Sequence, residues 1–226
     1  MGNLPVFEAL KNLKVDNNWV AETERKREEE ARAERKRRLE DNYRSIAPSR
    51  YLNESLETYR PTEENRKSFE WLLKYCQTVE KGENTKNLLY LNGKSGTGKT
   101  HLALGVLKRL GGFFITSLEM CITYDSCRDF RASMTRIEWL ERLVGHRLLI
   151  IDEVGKGLER IEREILPYIV NVFYNDQKKI LIMTGNETAE NFRGIIGESG
   201  ADRFCESGVM LPLCGDSYRQ NKRSMV

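Results

Sequence analysis

Short apolar runs alternate with helix-like segments along the chain from about residue 88 onwards. Five runs have the length and composition of buried strands, and they cover residues 88–92, 113–116, 148–152, 180–184 and 209–213. The segments between them have roughly the 10 to 20 residues that a helical crossover between parallel strands needs. We therefore predict an α/β domain built as a three-layer sandwich, with a parallel five-stranded sheet between two layers of helices.

A helical arm is predicted ahead of this pattern. Four apolar residues near the start have the spacing of one face of a short helix: Leu4, Phe7, Leu10 and Leu13. Residues 22–41 then contain 16 charged side chains, eight of each sign, without Gly or Pro. Such a run favours a solvated helix held by i,i+4 ion pairs such as Glu34 with Arg38. The charged run is compatible with an exposed or partly disordered arm, and also with a segment that binds a partner protein.

A second helix is predicted between the arm and the first strand. Pro48 ends the charged helix, because proline lacks the backbone donor that a helix interior requires. Thr62, just after Pro61, is the expected cap of the next helix, whose apolar residues have core spacing. We place the arm at residues 1–45 and the α/β domain at residues 46–226.

Composition and charge exclude several classes of protein. The 226 residues include 37 basic and 34 acidic side chains spread evenly along the chain, so any nucleic-acid contact needs a local patch. Five scattered cysteines without a C-x-x-C pair indicate buried cytosolic thiols rather than disulfides or zinc ligands. No apolar run approaches the roughly 18 residues of a membrane span, and the start does not resemble a signal peptide. We expect a soluble, cytoplasmic protein without a membrane partner.

A complete phosphate-binding motif follows the first predicted strand and opens a predicted helix over residues 101–110. The motif G-x-x-x-x-G-K-[ST] is met by Gly93, Lys94, Ser95, Gly96, Thr97, Gly98, Lys99 and Thr100. Its glycines let successive backbone N–H groups point at phosphate oxygens, at a helix N-terminus that favours anions. Lys99 is expected to reach the β and γ phosphates, and the Thr100 hydroxyl to ligate Mg²⁺. The sequence thus predicts a site for a nucleoside triphosphate with magnesium.

Two other strand ends carry polar residues suited to the same site, because ligands of open α/β sheets bind where the strands end. Asp152 closes the third predicted strand and Glu153 follows it, whereas Asn186 follows the fourth. Asp152 is expected to hold Mg²⁺ through water, and Glu153 to polarise the attacking water. Asn186 could bond the γ-phosphate or that water, and the alternative is a plain turn residue. The Asp-Glu pair favours hydrolysis over phosphorylation of a small acceptor.

These motifs together resemble the AAA+ ATPases, and within them the bacterial DnaC-like helicase loaders and the related IstB-type transposition ATPases. The resemblance covers roughly residues 46–219. It rests on residues 47–51 with 59–65, 91–102, 150–155, 184–186, 201–204 and 216–219. The order and spacing of these segments are more specific than any one of them.

The resemblance implies roles that the residues alone do not. Asn186 corresponds to the sensor-1 residue, and Arg203 to an arginine finger that completes a neighbouring subunit's site. Arg219 corresponds to a sensor-2-like arginine, and His101 borders the nucleotide. It also implies self-association of an ATPase domain that has no C-terminal lid. Without the resemblance, we would interpret Arg203 as a surface residue that forms a salt bridge.

The segment over residues 117–143 holds, in the family, an extra helix that touches single-stranded DNA. Here it contains cations and rings suited to phosphates and stacked bases: Tyr124, Arg128, Phe130, Arg131 and Arg136. Acidic neighbours dilute this charge. An amphipathic helix that merely covers the sheet is the alternative.

The function implied by the resemblance is helicase loading. Such a protein binds ATP and Mg²⁺, holds a replicative DnaB-type helicase through its N-terminal arm, engages single-stranded DNA, and uses hydrolysis to release the helicase. An IstB-like transposition ATPase shares the same core and differs in its partner. An ATP-gated adaptor with little turnover is a third possibility, and a small-molecule kinase is disfavoured because no arginine-rich lid segment is visible.

Overall fold

The computed structural model describes residues 17–83, 85–129, 131–215 and 217–218. The chain divides into two units, Met1–Asp41 and Asn42–Val226. The apolar face predicted over Leu4 to Leu13 lies outside the described residues.

Helix α1 (Asn17–Ile46) contains the charged run. Its side chains in the first unit are largely exposed, and Trp19 is 66% exposed. The predicted ion pair between Glu34 and Arg38 is present at 2.5 Å, and Lys26 pairs with Glu22 at 3.0 Å. Each exposed pair of this kind contributes only about 0.3–0.5 kcal/mol to stability. Residues 42–46 of α1 belong to the second unit, where Tyr43 is fully buried and donates its hydroxyl to the Tyr51 carbonyl.

The second unit is built on a sheet of five parallel strands, which confirms the predicted fold class. The strands are β1 (Leu88–Asn92), β2 (Phe113–Thr116), β3 (Leu148–Val154), β4 (Ile180–Gly185) and β5 (Gly208–Pro212). Their order across the sheet is β2-β3-β4-β1-β5. The carboxyl ends of β1, β3 and β4 therefore meet at one edge, where the predicted site residues lie.

Six α-helices of the described second unit accompany the sheet. They are α2 (Arg66–Glu80), α3 (Lys99–Leu110), α4 (Ser117–Ser126), α5 (Arg136–Val144), α6 (Glu159–Asn175) and α7 (Ala189–Ser207). Strand residues alternate between two cores: Leu89 and Leu91 face the layer of α2 and α3, whereas Leu88 and Tyr90 face the layer of α4 to α7. Each fully buried leucine contributes on the order of 1.5–3 kcal/mol. These two cores hold β1 rigidly beneath the phosphate loop.

One prediction about a helix start is wrong. Helix α2 begins at Arg66 after Asn65, because Thr62 forms a turn instead and its carbonyl accepts the Asn65 N–H at 3.2 Å. The segment over residues 117–143 contains two helices, α4 and α5. Each has its own capping box, in which Thr116 and Thr135 bond the third residue of the helix that follows. The sequence carries this signal twice as T-x-x-E.

Helix α7 is interrupted at Gly197, which adopts the left-handed φ of +73° that glycine tolerates. The kink separates the helix into two segments, and Arg203 lies in the second.

Not all cysteines are buried as predicted: Cys205 and Cys214 are exposed, because they lie on the solvent side of α7 and after β5. No described helix is both long and apolar enough to cross a membrane.

Candidate nucleotide-binding site

The loop between β1 and α3 has the backbone shape that a phosphate cradle requires. Gly96 and Gly98 adopt left-handed φ angles of +87° and +94°. A Cβ on Gly98 would also lie 2.6 Å from the Tyr59 ring, and one on Gly96 would collide with Ser217. Glycine is therefore needed at both positions for torsional and steric reasons. The loop ends at the N-terminus of α3, whose partial positive charge favours an anion.

Lys99 is folded back across this loop. Its ammonium donates to the Gly93 carbonyl at 2.6 Å and to the Lys94 carbonyl at 2.8 Å, and the side chain is only 8% exposed. The Thr97 hydroxyl also donates to the Lys94 carbonyl, at 2.9 Å. These bonds hold the one buried cation of the loop beside its backbone N–H groups, which is the arrangement that binds phosphates.

A buried carboxylate lies next to the loop. Asp152 is 4% exposed and accepts the Thr100 hydroxyl at 3.0 Å and the Thr184 hydroxyl at 2.5 Å. Burial raises the pKa of Asp152, and the bonds from Thr184 and Thr100 oppose that shift. A hydroxyl and a carboxylate are the hard oxygen ligands that Mg²⁺ prefers, so this pair fits the expected metal. Sequence reasoning missed Thr184, although it closes a predicted strand.

Glu153 stands at an irregularity of β3. The register against β4 shifts between Ile151 and Val154, so one extra residue bulges from β3, and Glu153 has a φ of +61°. Such a conformation costs a non-glycine residue about 1 kcal/mol or more and is typical of functional sites. The bulge places the Glu153 side chain at the cleft, where its carboxylate pairs with Lys156 at 2.8 Å.

The loop and Glu153 border one cleft of about 310 Å³, within the size range of small-molecule sites. Eight predicted site residues line it: Ser95, Gly96, Gly98, Lys99, Thr100, His101, Glu153 and Asn186. Others that line it were not predicted: Tyr51, Glu54, Thr58, Tyr59, Arg60, Lys156, Thr184, Gly185 and Tyr218. Tyr59 and Arg60 lie in a segment of the family resemblance to which no role was assigned, so only the spacing of that segment could have indicated them.

His101 connects the start of α3 to the wall of the cleft. Its Nε2 lies 2.8 Å from the Ser55 carbonyl and its Nδ1 3.2 Å from the Glu54 carboxylate. The ring also meets Tyr59 edge-on, and the Tyr59 hydroxyl donates to the Thr97 carbonyl at 3.3 Å. Burial raises the pKa of Tyr59 to about 12, so its hydroxyl stays a neutral donor. These contacts fix the loop against the segment over residues 54–59.

Residues near the end of the described chain also reach the loop. The Tyr218 N–H donates to the Gly96 carbonyl at 3.1 Å, and its hydroxyl donates to the Arg60 carbonyl. The rings of Tyr59 and Tyr218 are 6.3 Å apart. Arg219, the predicted sensor-2-like residue, lies outside the described residues.

Arg203 is not among the described residues that line the cleft. Its guanidinium donates to the Ser199 carbonyl at 2.9 Å and to the Ser199 hydroxyl, and it lies 5.6 Å from the centre of the Tyr174 ring. These contacts lie within α7 and with α6, not with the residues that line the cleft. Its predicted role, which requires a neighbouring subunit, stays a prediction.

The predicted DNA-contacting residues are in different environments. Arg136 donates to the Asp125 carboxylate at 2.9 Å and lies 4.4 Å from the centre of the Tyr124 ring, so it connects α5 to α4. Arg128 pairs with the same carboxylate at 3.4 Å, whereas Arg131 is exposed. Tyr124 is only 7% exposed and its hydroxyl donates to Glu164, so its ring does not offer the free face that base stacking needs. Phe130 lies outside the described residues.

Comparison with known proteins gives matches over most of the chain. A family model described as IstB-like ATP binding protein matches residues 8–226. The replicative helicase loader DnaC of Escherichia coli strain K12 is 30% identical over 175 residues, which cover 75% of this chain and 70% of the relative.

Solved structures share the fold at lower identity. A crystal structure of the DnaC helicase loader has a TM-score of 0.60 at 23% identity, over 74% of this chain and 100% of that chain. The replication initiator DnaA bound to AMPPCP and single-stranded DNA has a TM-score of 0.59 at 23% identity, over 75% of this chain and 51% of that one. A crystal structure of DnaI has a TM-score of 0.57 at 17% identity, over 75% of this chain and 93% of that chain. The predicted P-loop AAA+ fold is confirmed.

Proposed function

Because the chain belongs to the family of IstB-like ATP binding proteins, we propose that it is an ATP-hydrolysing protein that loads a replicative helicase onto single-stranded DNA. The observation that carries the hydrolytic part is the bonding of Thr100 to the buried Asp152 beside the phosphate loop. The relative named replicative helicase loader DnaC supports the biological role, since it matches three quarters of this chain.

Binding of the triphosphate uses the loop and its lysine. Backbone N–H groups over residues 93–100 bind phosphate oxygens, and Lys99 exchanges its carbonyl partners for the β and γ phosphates. Thr100 and Asp152 would hold the magnesium ion, which would supply charge neutralisation when bound. Tyr59 and Tyr218 line the same cleft and enclose part of the nucleotide.

Hydrolysis uses residues at the ends of β3 and β4. Glu153 leaves Lys156, accepts a proton from the attacking water and so makes it nucleophilic. Asn186 orients that water or the γ-phosphate from the neighbouring strand end. Lys99 stabilises the charge that develops as the bond to the leaving ADP breaks. Arg203 of an adjacent subunit adds a second cation, which couples hydrolysis to self-association.

Partners are assigned to segments other than those that line the cleft. The helicase binds the N-terminal arm, whose charged helix exposes Trp19. Single-stranded DNA binds the segment over residues 117–143, through Arg131 and with weaker help from Arg128. The protein acts in the cytoplasm, where replication proteins work.

A transposition ATPase is the second candidate, and the family description itself favours it, since IstB gives the family its name. Its core chemistry would be identical and its partner would be a transposase. A third candidate is an ATP-gated adaptor, which would bind ATP through the same residues with negligible turnover.

The deciding experiment mixes the full chain with a hexameric replicative helicase or with a transposase. Each mixture is prepared with ATP, with ADP and without nucleotide. Complex formation is measured by size-exclusion chromatography with light scattering. We expect a helicase complex that depends on the nucleotide, and we expect Lys99→Ala to lose that dependence. A complex with transposase alone would support the second candidate instead. Multiple-turnover phosphate release distinguishes both ATPases from the adaptor.

A further inference from the structure

A buried carboxylate outside the nucleotide cleft joins two functional segments. Glu162 on α6 is 2% exposed, and its Oε1 accepts two hydrogen bonds. One comes from the Gly155 N–H at 2.8 Å, in the turn that follows Glu153. The other comes from the Ser117 hydroxyl at the first residue of α4. One oxygen atom therefore bonds the turn after the catalytic strand and the start of the helix beside β2.

The junction around this oxygen is tightly packed. A Cβ added to Gly157 would lie 2.8 Å from Ser117 Oγ, 2.9 Å from Cys121 Sγ and 3.1 Å from Glu162 Cδ. Close packing of this kind transmits small displacements, because protein interiors do not deform freely. The turn over residues 155–157 cannot move without moving the start of α4 or breaking its bonds to Glu162.

Helix α4 leads from this junction towards the arginines of the predicted DNA-contacting segment. Its 10 residues span about 15 Å. Near its far end, Asp125 pairs with Arg128 and Arg136. A rigid element thus connects the turn after Glu153 with the arginines of residues 117–143.

We propose that Glu162 is a positioning residue that couples the nucleotide site to α4, so that the occupancy of the cleft sets the position of the DNA-contacting segment. The proposal rests on the proposed function, because it assumes that ATP binds in the cleft and displaces Glu153 from Lys156. Glu162 itself touches neither nucleotide nor DNA. It acts by holding the Gly155 turn and Ser117 to one oxygen atom.

Amide hydrogen exchange of the full chain, with and without ATP and Mg²⁺, tests this coupling. We expect ATP to slow exchange over residues 93–100 and to change exchange in α4 by about fivefold or more, the lower end of typical couplings between sites. Glu162→Ala should keep the response of residues 93–100 and lose that of α4. Glu162→Gln should keep both, because its amide oxygen can still accept from Gly155 and Ser117.

The outcomes separate this proposal from the proposed function. An α4 response that is unchanged in Glu162→Ala, or absent in the natural chain while residues 93–100 respond, would overturn the coupling and leave ATP binding intact. No response at residues 93–100 would overturn ATP binding and the coupling together. If Glu162→Ala does not fold, Ser117→Ala removes one of the two donors, and we expect a weakened α4 response. A full response in that variant would count against the coupling.

Discussion

Thr184 donates its hydroxyl to Asp152 Oδ1 at 2.5 Å, and the same hydroxyl oxygen accepts the Glu153 N–H at 3.1 Å. One side chain on β4 thereby fixes two successive acidic residues at the bulge of β3. Asp152 stays turned inwards beside Thr100, and Glu153 stays turned towards the cleft. The two carboxylates can then serve different tasks, because one is buried and the other is half-exposed.

Thr184→Val tests this arrangement. The substitution keeps the shape of the side chain but leaves the Glu153 N–H and Asp152 short of a partner, which costs about 1–3 kcal/mol for a buried group. We expect a lower free energy of unfolding and a fall in kcat of about tenfold. Thr184→Ser, which retains the hydroxyl, is the control for urea unfolding and steady-state hydrolysis. Equal behaviour of the two variants would refute the role given to the hydroxyl.

Asp152→Asn should stabilise the nucleotide-free protein and abolish magnesium-dependent hydrolysis. Burial raises the pKa of Asp152 in the folded protein above its usual value of 3.8. At pH values between the usual pKa and the raised pKa, the folded state binds a proton that the unfolded state does not. The stability of the natural chain therefore falls as pH rises through this window. We expect the variant to gain about 1 kcal/mol at pH 7 and progressively less towards pH 4.

Denaturant unfolding of the natural chain and of Asp152→Asn at several pH values between 4 and 7 measures this difference. A difference that stays constant with pH would mean that Asp152 does not titrate in the window. Thr100→Val, which removes the other member of the proposed metal-ligand pair and keeps Asp152, is the control for the loss of hydrolysis.

Lys99→Ala and Glu153→Gln should fail in different ways. Lys99→Ala removes the buried cation of the loop and should abolish nucleotide binding. Glu153→Gln keeps the loop intact and should bind ATP normally while kcat falls by about 100-fold or more, the usual contribution of a general base. Fluorescent-nucleotide titration and phosphate release separate the two. Appreciable hydrolysis in both variants would show that the reaction occurs elsewhere.

The sequence predicted the fold, and it singled out a phosphate-binding motif whose ligand stays a prediction, because both follow from local patterns. Each strand run is apolar on both faces, and Gly93 to Thr100 form one contiguous motif. Thr184 and Glu162 were not predicted, since their roles depend on which strands and helices become neighbours in space. The start of α2 was misplaced because a single Thr62 after Pro61 is also compatible with a turn. Tyr124 was a candidate for stacking on bases, but its helix turns it into the core.

Arg203→Ala should lower hydrolysis only where subunits assemble. An arginine supplied by a neighbour typically accounts for about 10³-fold or more in rate, so we expect a large loss at high protein concentration or with a partner. ATP binding by the single chain should be unchanged, because Arg203 contacts Ser199 and Tyr174 rather than the cleft. Arg193→Ala, on the same helix and paired with Glu198, is the matched control. Equal effects of both substitutions would point to helix stability instead.

Arg131→Ala and Arg136→Ala should separate DNA contact from packing. Arg131 is exposed, so its loss should weaken binding to single-stranded DNA by a few fold and leave the free energy of unfolding unchanged. Arg136 bonds Asp125 and lies over the Tyr124 ring, so its loss should cost about 1 kcal/mol of stability as well.

Fluorescence anisotropy with a labelled oligonucleotide, at several salt and protein concentrations, provides the readout. Because the charge of the chain is nearly balanced at +3, a single copy can neutralise few phosphates, and its binding at physiological salt should be weak. Binding should strengthen with ATP-dependent assembly, which presents several copies of the segment to one strand. Tight binding by a single chain at physiological salt, unaffected by Arg131→Ala, would place the DNA contact on another surface.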